Sequence, residues 1–166
     1  MSIHLDQRPF GESTPVSSEK TRPSFVLAED NSLMSTRLQQ LLATDCELLA
    51  AVVDGGALVR AVRQHRPDVI VTDIDMPEMT GLEAARQILA EQPQARIVFV
   101  TALDEPEIIR AAMALGARGF VNKRDAGREL ILAIKSTLAG KIYISNTGWR
   151  QFGQALRPTQ TCHEEE

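Results

Sequence analysis

The sequence predicts an α/β protein built on a doubly wound, five-stranded parallel sheet. Short apolar runs rich in β-branched residues recur along the chain, and each is followed by a stretch with apolar residues at helical spacing. Most of these runs end directly in acidic, hydroxyl or lysine side chains, at the strand ends where open α/β folds place their chemistry. Alternation of strand and helix predicts parallel strands joined by right-handed crossovers.

The predicted elements follow one another without a long gap. The strands are the apolar runs bounded by Pro, Gly or acidic residues, at 24–28, 48–53, 69–72, 96–102 and 119–123. A helix follows each of them, and Ser32 and Asp125 are predicted to cap the first and the last. Pro106 suits the first turn of the fourth helix. Residues 141–145 are expected to extend or close the last helix.

Composition places the chain among globular proteins with a full core. It has 166 residues, 43% hydrophobic and 24% charged, which suits one domain. The net charge of -4 disfavours nucleic-acid binding, which normally needs a basic patch. No apolar run approaches the roughly 20 residues of a membrane span, and the N-terminus lacks the pattern of a secretion signal. With only two cysteines and no disulfide framework, we expect a cytoplasmic location.

The two ends of the chain differ from its middle in composition and in the periodicity of apolar residues. Residues 1–23 mix Ser, Thr, Pro and charged residues without an apolar period, which predicts a disordered N-terminal extension. Residues 24–142 are the predicted folded domain. Residues 143–166 are predicted to be a C-terminal tail or the start of a linker, with no helix-turn-helix pattern and no output domain.

Functional side chains occupy four of the five predicted strand ends. They are Glu29 and Asp30, Asp73 with Asp75, Thr101, and Lys123. In a flavodoxin-like strand order these ends converge on one crevice. Two carboxylates about 4 Å apart repel by roughly 4 kcal/mol at an effective dielectric near 20, so several acids need more positive charge than one lysine supplies. An all-oxygen site of this kind suits Mg²⁺ and would leave an oxygen of Asp73 free to attack phosphorus, with Thr101 and Lys123 holding the phosphoryl oxygens.

Together these residues resemble the receiver domain of two-component response regulators. The matching motifs run in order through residues 24–142: Glu29-Asp30, Asp73-Ile-Asp-Met-Pro77 with Gly81, Thr101-Ala102, and Gly116 to Lys123. The resemblance implies that Asp73 is the phosphoacceptor and that Asp30 and the backbone carbonyl of Asp75 join it on Mg²⁺, with Glu29 acting through a metal-bound water. It also implies that Thr101 and Lys123 contact the phosphoryl group and that Phe120 is a rotating switch residue.

The stretch from Leu130 to Ser145 resembles the receivers that precede LuxR-type DNA-binding domains. The resemblance implies a histidine kinase or phosphotransfer protein as partner, and transcription regulation if the full-length protein has a DNA-binding domain. The expected protein-interaction face comprises the last two helices and the last strand. Its mixed charges suit a homodimer, and a dimer through the first and last helices is equally open. We expect neither membrane association nor DNA binding by the chain as given. Arg124 departs from the Pro that many receivers carry after the lysine.

Two other functions fit parts of the pattern. A haloacid-dehalogenase-type phosphatase also has Asp-x-Asp after a strand, but there it closes the first strand and a further acidic pair follows the lysine, whereas here Glu29 and Asp30 come first. A receiver-like interaction module that is never phosphorylated would be favoured by loss of the acids or Lys123, and all are present. The favoured interpretation is therefore a phosphoacceptor regulator, not an enzyme beyond its own phosphorylation from small donors and its own dephosphorylation.

Overall fold

The computed structural model describes residues 22–103 and 105–155, with side chains given up to residue 150. The elements are β1 Ser24–Ala28, α1 Ser32–Leu42, β2 Glu47–Val52, α2 Gly55–His65, β3 Val69–Thr72, α3 Gly81–Glu91, β4 Ile97–Thr101, α4 Pro106–Ala114, β5 Gly119–Asn122, α5 Ala126–Leu138, β6 Tyr143–Ile144 and α6 Asn146–Ala155. All but the last two residues of the predicted N-terminal extension lie outside the described residues, as do residues 156–166.

The strands form one parallel sheet in the order β2-β1-β3-β4-β5-β6. The predicted doubly wound, flavodoxin-like architecture is confirmed. The strand order reverses at β1, whose neighbours are β2 and β3. In open α/β sheets such a reversal leaves a crevice at the carboxyl ends of the strands, because the helices that follow them leave toward opposite faces.

Two apolar layers enclose the sheet, and each packs against one face of it. Residues of α2, α3 and α4 pack on one face around Phe99 and Phe120, and residues of α1 and α5 pack on the other around Phe25 and Val100. The strands β1, β3, β4 and β5 are buried along their whole length, which explains their continuous apolar sequences. Within the described ranges, none of the helices combines the length and apolarity needed to cross a membrane.

The helix starts agree with the predictions except in the capping residues. Asn31, not Ser32, caps α1, and its Oδ1 accepts a hydrogen bond from the N–H of Met34 at 2.9 Å. Pro106 occupies the first turn of α4 as predicted. The helix α4 ends at Ala114, before the left-handed Gly116 with φ +100°.

The sheet has six strands, so the predicted count of five is wrong by one. The expectation that residues 141–145 extend or close the last helix is also wrong, because α5 ends at Leu138 and Gly140 takes the left-handed φ of +78°. The chain then pairs with the free edge of β5: the N–H of Tyr143 donates to the carbonyl of Arg118, and that of Ser145 to the carbonyl of Phe120, both at 2.8 Å. A strand of two residues carries too little periodicity to be seen in a sequence.

The helix α6 begins against two carboxylates, one on Asp125 just before α5 and one on Glu129 in its first turn. Asp125 makes no side-chain cap for α5; its oxygens instead accept hydrogen bonds from Thr147, from the N–H at 3.0 Å and from the hydroxyl at 3.1 Å. Glu129 accepts from the N–H of Asn146 at 3.0 Å and from the hydroxyl of Tyr143 at 3.0 Å. Negative charge at a helix N-terminus is favourable, because the first N–H groups of the helix point toward it. Part of the predicted C-terminal tail is therefore an ordered helix.

Tyr143 should titrate unusually late. Burial and the hydrogen bond to Glu129 raise the pKa of Tyr143 to about 12. Tyr143 is the only tyrosine of the chain, so ultraviolet absorbance reports its ionisation alone. Because the folded value exceeds the ordinary one, this contact stabilises the fold fully below an ordinary tyrosine pKa of about 10, and its contribution is lost as the pH rises through the folded value.

The measurement is an absorbance titration, with circular dichroism confirming that the chain stays folded. Glu129→Gln should shift the midpoint down toward that of free tyrosine, because the negative charge beside the hydroxyl is gone. A wild-type midpoint equal to that of the unfolded chain would contradict the contact.

Candidate functional site

Three strand ends bring the predicted site residues to one edge of the sheet. Asp73 directly follows β3, and its N–H donates to the carbonyl of Ala28 at 2.9 Å. Glu29 follows β1 in the same way. Lys123 follows β5, and its N–H donates to the carbonyl of Thr101 at 2.9 Å. Each backbone is therefore held by one more hydrogen bond of the sheet ladder, which keeps the side chains directed into the crevice.

The acids form a tight cluster. Glu29, Asp30 and Asp73 each offer a carboxylate oxygen, and these atoms lie within 4.8 Å of one another. Glu29 is 1% exposed and Asp73 4%, whereas Asp30 is exposed and opens the cluster to solvent. The Nζ atom of Lys123 lies 2.7 Å from Oδ2 of Asp73 and 2.8 Å from Oε2 of Glu29. One ammonium cannot neutralise three carboxylates, so the cluster retains negative charge.

The pKa values of Glu29 and Lys123 are both raised. Burial, together with the charge of Asp73, raises the pKa of Glu29 although Lys123 opposes the shift. Burial lowers the pKa of Lys123, but the hydrogen bonds to Asp73 and Glu29 more than offset it, and the net pKa is raised. Lys123 is therefore charged throughout the neutral range. Further positive charge at the cluster would favour the ionised form of Glu29, whose pKa is raised.

The cluster fits a hard divalent cation. All its donors are carboxylate oxygens, the ligands that Mg²⁺ prefers, and such sites usually keep one side open for water and phosphate. The buried Oε2 of Glu29 has Nζ of Lys123 as its partner at 2.8 Å, and the same ammonium group is shared with Asp73. The carboxylate of Asp75 is exposed and stands apart from the three clustered acids. The metal contact expected of Asp75, through its backbone carbonyl, stays a prediction.

Asp73 is held in one orientation by its own neighbours. Its Oδ1 accepts hydrogen bonds from the N–H of Ile74 at 2.7 Å and of Asp75 at 3.3 Å, while Oδ2 faces Lys123. The hydroxyl of Thr72 donates to its carbonyl at 2.8 Å. A carboxylate fixed in this way loses little freedom on reaction, which is how positioning lowers a barrier.

The two predicted switch residues lie on the neighbouring strands β4 and β5. Thr101 ends β4 with no exposed surface, and its Oγ1 accepts a hydrogen bond from the N–H of Leu103 at 3.3 Å. Phe120 lies within β5, also fully buried, in the apolar layer that contains Phe99 and Ile109. Their movement on phosphorylation stays a prediction.

Asn122 and Ser145 were not singled out by sequence reasoning. The N–H of Asn122 donates to Oγ of Ser145 at 3.0 Å, and its Oδ1 accepts from the N–H of Arg124 at 3.0 Å. The second bond orders the turn after Lys123, where many receivers have Pro. Ser145 and Asn146 before Trp149 resemble a helix start, which could have revealed α6. No sequence signal pairs Ser145 with Asn122.

The parallel order of the sheet, the switch point at β1 and the acid–lysine cluster define a receiver-type signalling domain. The chain belongs to the response regulator receiver domain family, whose model matches residues 25–135. Receiver domains of this kind serve two-component systems, generally bind Mg²⁺ and interact with histidine kinases, and they are generally regulators rather than conventional enzymes.

Its relatives are response regulators that are longer than this chain. The oxygen regulatory protein NreC of Staphylococcus haemolyticus is 30% identical over 123 residues, which cover 72% of this chain and 57% of NreC. The response regulator GacA of Pseudomonas aeruginosa is 34% identical over 123 residues, with the same coverage of 72% and 57%. The chain thus spans 57% of the length of each.

A solved structure extends the likeness beyond the family match. The crystal structure of a two-component response regulator of the LuxR family from Aurantimonas sp. SI85-9A1 has a TM-score of 0.78 and 26% identity, covering 81% of this chain and 97% of that one. The predicted resemblance to receivers of LuxR-type regulators is confirmed.

Proposed function

We propose that Asp73 accepts a phosphoryl group, with Mg²⁺, from a histidine kinase or a phosphotransfer protein, and also from small donors such as acetyl phosphate. The observation that supports this most directly is the buried Asp73 carboxylate, fixed by Lys123 and flanked by Glu29 and Asp30. We further propose a cytoplasmic location and, for the full-length protein, a role in regulating transcription.

The transfer is a displacement at phosphorus. An oxygen of Asp73 forms the new bond to phosphorus while the bond from phosphorus to the donor atom breaks, and its electron pair leaves with the donor. Asp30, Asp73 and the backbone carbonyl of Asp75 would hold Mg²⁺, with Glu29 acting through a metal-bound water, and the ion would supply positive charge to the transferred oxygens. Lys123, 2.7 Å from Asp73, stabilises the same charge from the other side, and Thr101 donates its hydroxyl to a phosphoryl oxygen.

The signal would then pass to a protein partner through the Thr101 and Phe120 pair. When the Thr101 hydroxyl turns toward the phosphoryl group, space opens for the Phe120 ring. Phe120 carries no polar group, so full burial costs it no hydrogen bond. The readout face comprises α4, β5 and α5, and it is also the surface we propose for a homodimer.

The test is phosphorylation of the full chain by acetyl phosphate, followed by intact-mass measurement with Mg²⁺ or with a chelator. We expect one phosphoryl group per chain with Mg²⁺ and none with the chelator. Failure to gain mass with Mg²⁺ would overturn the proposal. Sustained turnover of p-nitrophenyl phosphate would favour the phosphatase alternative instead, although Asp73 follows β3 rather than the first strand.

Asp30→Ala should weaken Mg²⁺ binding without harming the fold. Changes to groups that only support metal ligands cost 10–100-fold in affinity, and we expect loss of a direct ligand to cost at least about tenfold. Asp30 is exposed and lies in a negative cluster, so its removal relieves repulsion and should leave the melting temperature of the metal-free chain equal or higher.

The measurement is calorimetric titration with Mg²⁺ together with thermal melting in a chelator. Asp75→Ala is the matched control, because that exposed side chain lies outside the acid cluster and should leave both quantities unchanged. A large loss of metal-free stability in Asp30→Ala would contradict the repulsion argument.

A further inference from the structure

The loop that follows β3 carries two groups of the proposed metal site. This β3–α3 loop, residues 73–80, begins with Asp73 and includes the backbone carbonyl of Asp75. Its ends are tied together, because the N–H of Gly81 donates to the carbonyl of Ile74 at 2.8 Å. The chain between these ends is short, so a displacement in its second half is passed on to Asp75.

A tight turn centred on Glu78 forms the second half of the loop. The N–H of Met79 donates to the carbonyl of Pro77 at 2.8 Å, and Glu78 between them has a φ of +65°. A three-residue turn with positive φ is rare and strained, and such backbone persists only where surrounding contacts enforce it. The exposed carboxylate of Glu78 makes no hydrogen bond or ion pair to the described residues, so its own side chain does not hold the turn.

The start of α2 supplies the contact that holds the turn. Gly55, the first residue of α2, is buried, and its N–H donates to the carbonyl of Met79 at 3.1 Å. The first N–H groups of a helix have no partner within the helix, so this one is free to bind the loop. The side chain of Met79 lies against the same residue and packs on the apolar layer around Phe99.

Only a glycine leaves room for this contact. A Cβ atom added at Gly55 would lie 2.5 Å from the carbonyl oxygen of Met79, 2.8 Å from its Cγ and 2.9 Å from its Cβ. Carbon atoms in folded proteins do not approach this closely, so a methyl group here must push Met79 away. The contact therefore joins the sequence at the start of α2 to the position of the loop.

We propose that Gly55 is a positioning residue for the Mg²⁺ site. Its N–H and its lack of a side chain hold Met79, and Met79 in turn holds the strained turn at Glu78. The turn sets the place of the Asp75 carbonyl. The inference rests on the proposed function, in which that carbonyl binds the ion. Without support from α2 the turn relaxes, and the carbonyl leaves the place in which it joins the acids.

Two adjacent glycines of α2 provide a matched pair of variants. Gly55→Ala should raise the Kd for Mg²⁺ about tenfold, the lower end of the cost of losing a group that supports a metal ligand. Gly56→Ala should bind like wild type, because its added Cβ atom would meet only the side chains of Asp54 and Arg60, at 3.3 Å and 3.5 Å, and no atom of the loop. Both variants lie in the first turn of one helix, so their effects on helix propensity cancel in the comparison.

Met79→Ala tests the same contact without crowding. It keeps the carbonyl that accepts from Gly55 and loses the side chain that packs beside it. We expect a rise in the Kd for Mg²⁺ in the same direction as in Gly55→Ala and smaller. This variant also decides the matter should Gly55→Ala fail to fold.

The measurement is calorimetric titration of the full chain with Mg²⁺, at a temperature at which circular dichroism shows every variant folded. A second readout is the Mg²⁺ concentration that gives half the maximal rate of phosphorylation by acetyl phosphate. In Gly55→Ala it should rise by the same factor as the Kd, while the rate at saturating Mg²⁺ returns to that of wild type. Mere instability would instead lower the rate in proportion at every Mg²⁺ concentration.

Wild-type affinity for Mg²⁺ in Met79→Ala, or in a folded Gly55→Ala, would overturn the inference while the proposed function stands. Equal weakening in Gly55→Ala and Gly56→Ala would overturn it too, because the effect would then come from the helix start and not from Met79. A wild-type chain that binds Mg²⁺ but accepts no phosphoryl group would end the proposed function alone. Absence of Mg²⁺ binding in wild type would overturn both.

Discussion

Asp73→Asn should abolish phosphoryl acceptance while the domain stays folded. An amide oxygen carries no charge with which to attack phosphorus, so the reaction loses its nucleophile rather than part of its stabilisation. Asn has nearly the same shape as Asp and its oxygen can keep the hydrogen bond from the N–H of Ile74. Lys123 retains Glu29 as a charged partner at 2.8 Å.

A phosphate-affinity gel after treatment with acetyl phosphate and Mg²⁺ measures this. The wild-type chain should run as a shifted band, and Asp73→Asn should show none. Asp75→Asn is the matched control, because it removes an acid two residues away whose side chain is exposed and stands outside the cluster. An equal shift in wild type and Asp73→Asn would place the phosphoryl group elsewhere.

Among the glycines whose surroundings the structure describes, Gly81 should lose the most stability on substitution by Ala. A Cβ atom there would lie 1.9 Å from the carbonyl oxygen of Asp73, 2.9 Å from its carbonyl carbon and 3.0 Å from Cα of Ile74. All three are backbone atoms, which cannot turn aside as a side chain does. We expect a loss of about 3 kcal/mol, at the upper end of the usual cost of overpacking.

Phosphoryl acceptance should fall in the same variant, because any relief of the clash displaces the backbone of Asp73. The comparison is Gly127→Ala, which meets no neighbour and should gain about 0.5 kcal/mol from better helix propensity. Urea unfolding of the two variants and wild type gives both free energies. Equal midpoints for Gly81→Ala and wild type would contradict the prediction, because they would show that the loop after Asp73 relaxes to accommodate the methyl group.

Most of the site could be predicted because its residues stand where secondary structure ends. Glu29, Asp73 and Lys123 each follow a strand whose apolar run is evident in the sequence. In a parallel sheet all carboxyl ends share one edge, so residues 50 positions apart, such as Asp73 and Lys123, meet once the strand order is known. Local sequence patterns were therefore sufficient to predict that residues far apart in the sequence meet at one site.

The capping residues were less predictable, since several side chains compete at each helix start. Ser32 and Asn31 are both good caps, and only the structure shows that Asn31 caps α1. Asp125 stands at the start of α5, but its carboxylate binds the N-terminus of α6 instead, which lies 22 residues further along the chain. A sequence shows which side chains can cap a helix but not which of two nearby helices receives them.

The amino-acid order alone settled the alternation of strands and helices, the acidic edge and the lysine opposite it. These features depend on short continuous apolar runs, on the helical period of 3.6 residues and on where each run stops. Tertiary structure alone decided that residues 143–155 add a strand to β5 and lay a helix over Phe120. The strand β6 has two residues and no periodicity of its own. It forms because β5 offers an unpaired edge, and because Asp125 and Glu129 accept hydrogen bonds from the start of α6.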